Sequence, residues 1–194
     1  MYMTVLKATF DTIRNGEYLM KFESGEFMHK WITSQFNCTR MDGQILYRIE
    51  NTKETMYLYV QSKMPLPQKN IAQAGMEVVC SYEIADLHPG CNVVFKMLYS
   101  SHVSKDGKRF FIKDPEERIR KLCERLQLNA GLSGINVKEI GIRTVAIKND
   151  INMGGVEYIG IGTVTDYEKF MKAVSNGFGH GKNYGMGLLL YKEV

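Results

Sequence analysis

The sequence predicts an α+β protein in which the order β-α-β-β-α-β occurs twice. Three observations lead to this prediction. Runs that alternate at period two, typical of half-buried strands, are separated by segments whose apolar residues recur every three or four positions. The same order of elements fits each half of the chain. Between the halves, His88-Pro89-Gly90 combines proline with glycine, which indicates a boundary.

The composition is that of an ordinary globular protein, with 44% hydrophobic and 24% charged residues among 194. A net charge of +4 permits a polyanionic partner without demanding one. The four cysteines are far apart and form no C-x-x-C pair, which favours free thiols in a reducing compartment. Because no apolar run approaches the roughly 18 residues that span a bilayer, we expect a cytoplasmic protein.

The first half contains one clearly amphipathic helix. Tyr2–Phe10 alternates at period two and predicts the first strand. Ser24 is a candidate cap for a helix over Gly25–Phe36, whose apolar residues share one face. Further strands and a weak second helix are predicted at Gln44–Glu50, Thr55–Gln61, Asn70–Ala74 (the helix) and Met76–Ile84.

The second half contains two helix starts with local signals. Asp114-Pro115 supplies a capping side chain and then proline at the first helical position. Thr165-x-x-Glu168 is a capping box for the last helix. A turn over Ser104–Gly107 precedes one of the strands, which are predicted at Cys91–Tyr99, Lys108–Ile112, Ile135–Lys148, Gly155–Val164 and Gly187–Tyr191. The order is that of two tandem ferredoxin-like (RRM-like) domains, 1–87 and 88–194.

The segment from Gly177 to Gly187 holds five glycines in eleven residues. Glycines let a backbone approach a ligand closely and turn its N–H groups toward an anion. His180 and Lys182 add donors, and Tyr184 could stack on a base or on the core. The alternative is a connection packed flat against a sheet, and composition alone leaves both open.

This segment resembles the C-terminal glycine loop of CRISPR repeat-processing endoribonucleases, and within them the CasE branch of the type I-E Cascade complex. Met28-His29-Lys30 is similar to the segment that carries the catalytic histidine of that family. The strand pair at Leu46–Glu50 and Tyr57–Ser62, and Gly107-Lys108-Arg109 before the helix at Asp114, follow in the family's order. Glu26 stands where relatives often have tyrosine, and His180 where arginine is frequent.

The resemblance implies a metal-independent endoribonuclease that cuts pre-crRNA at the 3′ base of a repeat hairpin. A 2′-hydroxyl would attack the neighbouring phosphate, leaving a 2′,3′-cyclic phosphate and a 5′-hydroxyl. His29 would be the catalytic histidine, and imidazole titrates close to neutrality. Lys30 and Lys182 are candidates for charge stabilisation. The alternative for His29 is a surface histidine on an amphipathic helix.

The expected RNA-binding residues combine basic side chains with the glycine loop. Double-stranded RNA is read mostly by shape and by contacts to its backbone. Any one of these residues could instead be a solvated charge. They are Lys105, Lys108, Arg109, Arg143, Lys148, Gly177, Gly179, His180, Gly181, Lys182 and Tyr184.

The expected partners are the CRISPR repeat hairpin and other Cascade subunits, and no membrane. We expect neither metal nor other cofactor, because the histidines show no ligand spacing. Two other functions stay open: an RNA-binding subunit that does not cut, and a tandem ferredoxin-like regulatory domain that binds a metabolite.

Overall fold

In a computed structural model, residues 1–11, 24–68, 70–148 and 151–194 are described, without the side chains of 146–148 and 151–152. The chain forms two compact units. The N unit comprises Met1–Ala85, Val145–Asn152 and Lys182–Gly185, and the C unit comprises Asp86–Thr144, Met153–Gly181 and Met186–Val194. The division at residues 87 and 88 follows the order of elements along the chain and stays a prediction.

The N unit is built on a four-stranded antiparallel sheet with strand order β2-β3-β1-β4. In the described part of the unit the long helix α1 (Gly25–Phe36) lies between β1 and β2, and a 3-10 turn at Ala72–Ala74 occupies the place of the second helix. This is the ferredoxin-like order with a reduced second helix. The strands are β1 (Tyr2–Thr9), β2 (Leu46–Asn51), β3 (Thr55–Ser62) and β4 (Glu77–Glu83).

Helix α1 begins and ends where the sequence predicts. The Phe27 amide donates to Ser24 Oγ at 3.4 Å, which confirms the predicted cap. Met28, Ile32 and Phe36 are buried in the core beside the sheet. Because these positions recur every four residues, His29 lies at the edge of the buried stripe, half-exposed.

The C unit repeats the fold, with a sheet of order β10-β5-β9-β8 and two helices. Residues whose side chains come from both helices and the sheet, such as Leu122, Phe170 and Tyr158, form one core. Fold class and strand order therefore confirm the tandem ferredoxin-like prediction. The elements of this sheet and its helices are β5 (Asn92–Tyr99), α2 (Pro115–Ala130), β8 (Leu132–Lys148), β9 (Ile151–Val164), α3 (Tyr167–Asn176) and β10 (Leu189–Glu193).

A separate two-stranded hairpin lies between β5 and α2. Its strands are β6 (His102–Lys105) and β7 (Lys108–Phe111), and its turn uses positive φ at Asp106 and Gly107. The sequence predicts only the second of these strands. The first strand is short and does not alternate clearly between apolar and polar residues, so it forms a strand because it pairs with β7 across the turn.

The predicted capping residue of the last helix is wrong by one position. Asp166 is the N-cap of α3, and its carboxylate accepts a hydrogen bond from the Lys169 amide at 3.0 Å. The Thr165 hydroxyl instead donates to the Gly131 carbonyl at 2.9 Å. A tertiary contact therefore takes the threonine away from the helix end. None of the helices in the described ranges is long and apolar enough to cross a membrane.

Candidate active site

His29 is a half-buried imidazole on the first helix. Burial lowers its pKa from the ordinary value of 6.5, and the charges of Arg40 and Lys30 lower it further. The imidazole is therefore mainly neutral at pH 7 and can accept a proton. A neutral, partly desolvated histidine beside cations is the state that a general base requires.

Lys30 lies on the exposed side of the same helix. Its ammonium is 2.7 Å from a carboxylate oxygen of Glu26, one turn earlier, and its side chain is 71% exposed. Glu26 occupies the position where the resemblance places a tyrosine. In this chain Glu26 therefore provides a counter-charge to Lys30 and no hydroxyl. The catalytic role of Lys30 stays a prediction.

Lys182 belongs to the N unit and is the first residue of a short 3-10 turn, Lys182–Tyr184. This turn packs against α1 and β2. The Tyr47 hydroxyl lies 2.8 Å from the Asn183 carbonyl and 3.1 Å from the Gly25 carbonyl, so it can donate to either. Burial raises the pKa of Tyr47, as does the nearby Tyr184, which keeps this hydroxyl a donor. One buried phenol thus joins the turn to the start of α1.

Gly185 completes the attachment of this turn. Its φ is +77°, and a Cβ there would lie 3.1 Å from the ring of Tyr47. The backbone therefore lies against the tyrosine ring in a conformation that only glycine adopts without strain. The glycine positions the turn that carries Lys182.

Arg40 is a further candidate residue of the site, which the sequence did not indicate. The chain leaves α1 through Asn37 at φ 51° and turns back, with the Ile45 amide donating to the Arg40 carbonyl at 2.9 Å. The Arg40 side chain is half-buried. Its charge lowers the pKa of both His29 and Lys182, for which burial is the larger cause in each case.

The site therefore combines an imidazole with two half-buried cations. Burial lowers the pKa of Arg40 as well, so the fold holds these groups where their charged forms are disfavoured. An anion bound among them would relieve that repulsion. Perturbed pKa values grouped in this way make these residues candidates for a functional site.

The sequence model of the family described as "CRISPR associated protein" matches residues 1–192. The chain belongs to this family. The predicted family is therefore confirmed. No curated protein matches the chain in sequence.

Solved structures share the fold of this CRISPR-associated chain across both units. A CRISPR endoribonuclease, Cse3, bound to a 19-nucleotide RNA matches with a TM-score of 0.85 at 18% identity, covering 99% of this chain and 100% of that one. Cas6e from Escherichia coli K-12 matches at 0.72 with 17% identity and full coverage of both chains. A chain of a CRISPR RNA-guided surveillance complex matches at 0.71 with 20% identity, again over both full chains.

The C unit of this family member carries several of the predicted RNA-binding residues on one hairpin. Lys105, Lys108 and Arg109 are exposed on β6–β7, and Lys105 pairs with Lys108 across the turn. At the base of the hairpin Arg118 is buried, and it donates to the carbonyls of Ile112 and Lys113 at 2.8 Å each. The hairpin therefore presents three cations from a fixed base.

Arg118 is itself held by a carboxylate. Its Nε and one terminal nitrogen donate to the two oxygens of Glu139, at 2.9 and 2.7 Å. The guanidinium also lies 5.3 Å from the ring centre of Phe111 in β7. This bidentate, buried pair fixes where the hairpin leaves the domain.

Two further predicted RNA-binding residues lie on β8. Arg143 is 2.9 Å from the carboxylate of Glu157, which also pairs with Lys96 at 3.0 Å, so the charge of Arg143 is partly compensated. Lys148 ends β8, and its side chain lies outside the described part of the structure. Neither observation tests RNA binding by these residues.

The remaining glycines of the loop have a packing role. A Cβ on Gly179 would lie 2.4 Å from the ring of Tyr99, and one on Gly187 would lie 2.5 Å from the Phe178 carbonyl. Gly177 and Gly181 also adopt positive φ. Close packing thus explains why glycines are needed here, and His180 lies exposed among them. RNA contacts by this part of the loop stay a prediction.

No three histidine, cysteine, aspartate or glutamate side chains come close enough together to hold a metal ion within the described ranges.

Proposed function

We propose that this protein is a metal-independent endoribonuclease that binds the CRISPR repeat hairpin and cleaves pre-crRNA at the 3′ base of the stem. The observation that carries this proposal is the grouping of His29, Arg40 and Lys182 in one unit, from distant parts of the sequence. The similarity in fold to an RNA-bound CRISPR endoribonuclease supports it.

The proposed reaction needs only groups of this site and the RNA. Neutral His29 accepts the proton of the 2′-hydroxyl as the 2′-oxygen forms a bond to the adjacent phosphorus. Arg40 neutralises the charge that builds up on the phosphate oxygens. The bond from phosphorus to the 5′-oxygen breaks, and that oxygen takes a proton from the Lys182 ammonium. The products are a 2′,3′-cyclic phosphate and a 5′-hydroxyl.

The stem of the hairpin would lie on the basic side chains of the C unit. Lys105, Lys108 and Arg109 extend from one exposed hairpin whose base is fixed by Arg118. Such contacts go to the RNA backbone and are sensitive to salt. This arrangement gives recognition of a helical shape, with cleavage chemistry supplied by the N unit.

The test is incubation of a labelled repeat hairpin with purified protein in EDTA, for the wild type, His29→Ala and a control, His88→Ala. His88 is an exposed histidine that pairs with Glu193 at 3.1 Å, outside the candidate site. We expect one cut with a cyclic-phosphate end, lost in His29→Ala and kept in His88→Ala, while all three bind. Cleavage that EDTA abolishes would refute metal independence, and an unchanged rate in His29→Ala would refute the site.

A second function is favoured by the Glu26–Lys30 pair: an RNA-holding subunit that does not cut. The pair places a carboxylate where the resemblance puts a tyrosine hydroxyl. Tight hairpin binding without cleavage by the wild type would support this function. Glu26→Tyr then decides whether the missing hydroxyl is the reason, because restored cleavage would show that the rest of the site is competent.

We also propose that the protein retains its cleaved hairpin and joins other Cascade subunits. The fold that it shares with a chain of a CRISPR RNA-guided surveillance complex supports this assembly. Co-purification of the chain with Cascade subunits and crRNA from its source tests it, and recovery of the chain without them would contradict it.

A further inference from the structure

A cleft of about 530 Å³ opens on the helical side of the C unit. Helices α2 and α3 form two of its walls, and residues Gly177–His180 form another. Its volume lies within the range of roughly 300–1,000 Å³ that ligand sites occupy. None of these residues belongs to the cluster of His29, Arg40 and Lys182.

The two helices direct basic side chains toward the cleft at regular spacing. Arg125, Leu128 and Asn129 follow one face of α2, and Lys169, Lys172 and Asn176 follow one face of α3. The described residues that line the cleft include no aspartate or glutamate. The charged side chains that line the cleft are therefore cations, with amide groups at its margin.

Two of these cations have fixed or partly fixed positions. The Arg125 guanidinium donates to the Tyr99 hydroxyl in the floor of the cleft. Lys169 lies 3.1 Å from Asp166, the capping residue of α3, and is 55% exposed. Lys172 lies one turn further along α3 and is exposed, as is His180 on the opposite wall.

We propose that this cleft binds the phosphate backbone of single-stranded RNA that flanks the repeat hairpin. The proposal rests on the proposed function and extends it to a second RNA contact. The wall at Gly177–His180 continues along the chain directly to Gly181 and Lys182. A strand that occupies the cleft thus contacts the same loop that carries a residue of the candidate active site.

The lining favours RNA over a protein segment. Leu128, 69% exposed, is the large apolar side chain that the cleft offers at its surface, whereas Tyr99 and Phe178 are buried. Protein partners normally insert apolar or aromatic anchors into a pocket. Cations and amides around an open cleft instead match a chain of phosphates.

The experiment compares two RNAs with three proteins. The RNAs are the bare repeat hairpin and the same hairpin with its natural single-stranded flanks. The proteins are the wild type, Lys169→Ala/Lys172→Ala, and a control, Arg120→Ala/Lys138→Ala, which removes two exposed cations of the same unit outside the cleft. Binding is measured over a series of salt concentrations, and circular dichroism verifies that each variant is folded.

We expect the wild type to bind the flanked RNA more tightly than the bare hairpin, and the lysine variant to lose most of that advantage, on the order of tenfold at low salt. Each single-strand phosphate contact contributes about 0.7 to the slope of log K against log salt, so the slope should decrease by about 1.4. The control should keep the advantage.

Three outcomes would overturn the proposal: no advantage of the flanks in the wild type, an unchanged advantage in the lysine variant, or an equal loss for both RNAs. If the lysine variant still bound the flanked RNA more tightly than the bare hairpin to the same extent as the wild type, an acidic protein segment would be the next candidate occupant of the cleft. Failure of the wild type to bind even the bare hairpin would refute the proposed function itself, which separates the two failures.

Discussion

Tyr47→Phe should slow cleavage while leaving the protein folded. The substitution removes one oxygen from a side chain that is 2% exposed. That oxygen lies within hydrogen-bond distance of the Asn183 carbonyl, in the turn that carries Lys182, and of the Gly25 carbonyl at the start of α1. The change therefore tests whether one hydroxyl aligns two parts of the candidate site.

The expected magnitudes differ for stability and for catalysis. One hydrogen bond contributes about 1 kcal/mol, and a buried acceptor left without a donor costs about 1–3 kcal/mol. The Gly25 carbonyl lies in the first turn of α1 and can still accept a hydrogen bond within the helix, so the Asn183 carbonyl is the acceptor that loses its donor. We therefore expect a loss of about 1–2 kcal/mol in the free energy of unfolding. A catalytic group displaced by about 1 Å costs about 100-fold in rate. We therefore expect cleavage to decrease by about tenfold to 100-fold.

Urea unfolding and single-turnover cleavage of the repeat hairpin measure the two quantities separately. Tyr57→Phe is the matched control, since it makes the same change on β3, opposite Glu50 and away from the turn. The interpretation fails if Tyr47→Phe cleaves at the wild-type rate, or if the control is slowed to the same extent.

Three further predictions concern the charges of the site and the base of the hairpin. Because burial and two cations lower the pKa of His29, the low-pH limb of kcat/KM should have its midpoint below pH 6.5; a pH–rate profile checks this, and a midpoint above 6.5 would contradict a neutral base. Arg40→Ala should slow cleavage by about 100- to 1,000-fold and weaken hairpin binding much less, with Arg40→Lys retaining part of the rate; equal losses in kinetics and filter binding would instead assign Arg40 to binding alone. Arg118→Met should lower the free energy of unfolding by about 3–5 kcal/mol, because it leaves the Glu139 carboxylate without its bidentate partner; a loss below about 1 kcal/mol in urea unfolding would refute that role.

Local signals explain why most of the fold could be predicted. Ser24 and Asp114 cap the helices that follow them, and both caps involve only residues within one turn. Thr165 did not follow this rule, because a hydrogen bond to Gly131 from another part of the chain competes for its hydroxyl. The missed strand β6 likewise depends on a partner strand and not on its own residues.

The candidate site was predictable only in part, because it too depends on contacts between distant parts of the chain. His29 could be named because a family resemblance marks its segment. Arg40 lies in an irregular loop with no motif around it, and it became a candidate only through its burial and its effect on the pKa of His29 and Lys182. The sequence offered many isolated arginines of this kind. Only the tertiary fold separates this one from the others.

The insertion of Lys182–Gly185 into the N unit has a consequence for biosynthesis. During translation His29 and Arg40 emerge well before Lys182, so a polypeptide released before residue 182 holds two of the three residues of the candidate site. Such a fragment also lacks the backbone against which Tyr47 packs. The candidate site is therefore complete only after most of the C unit has also been synthesised.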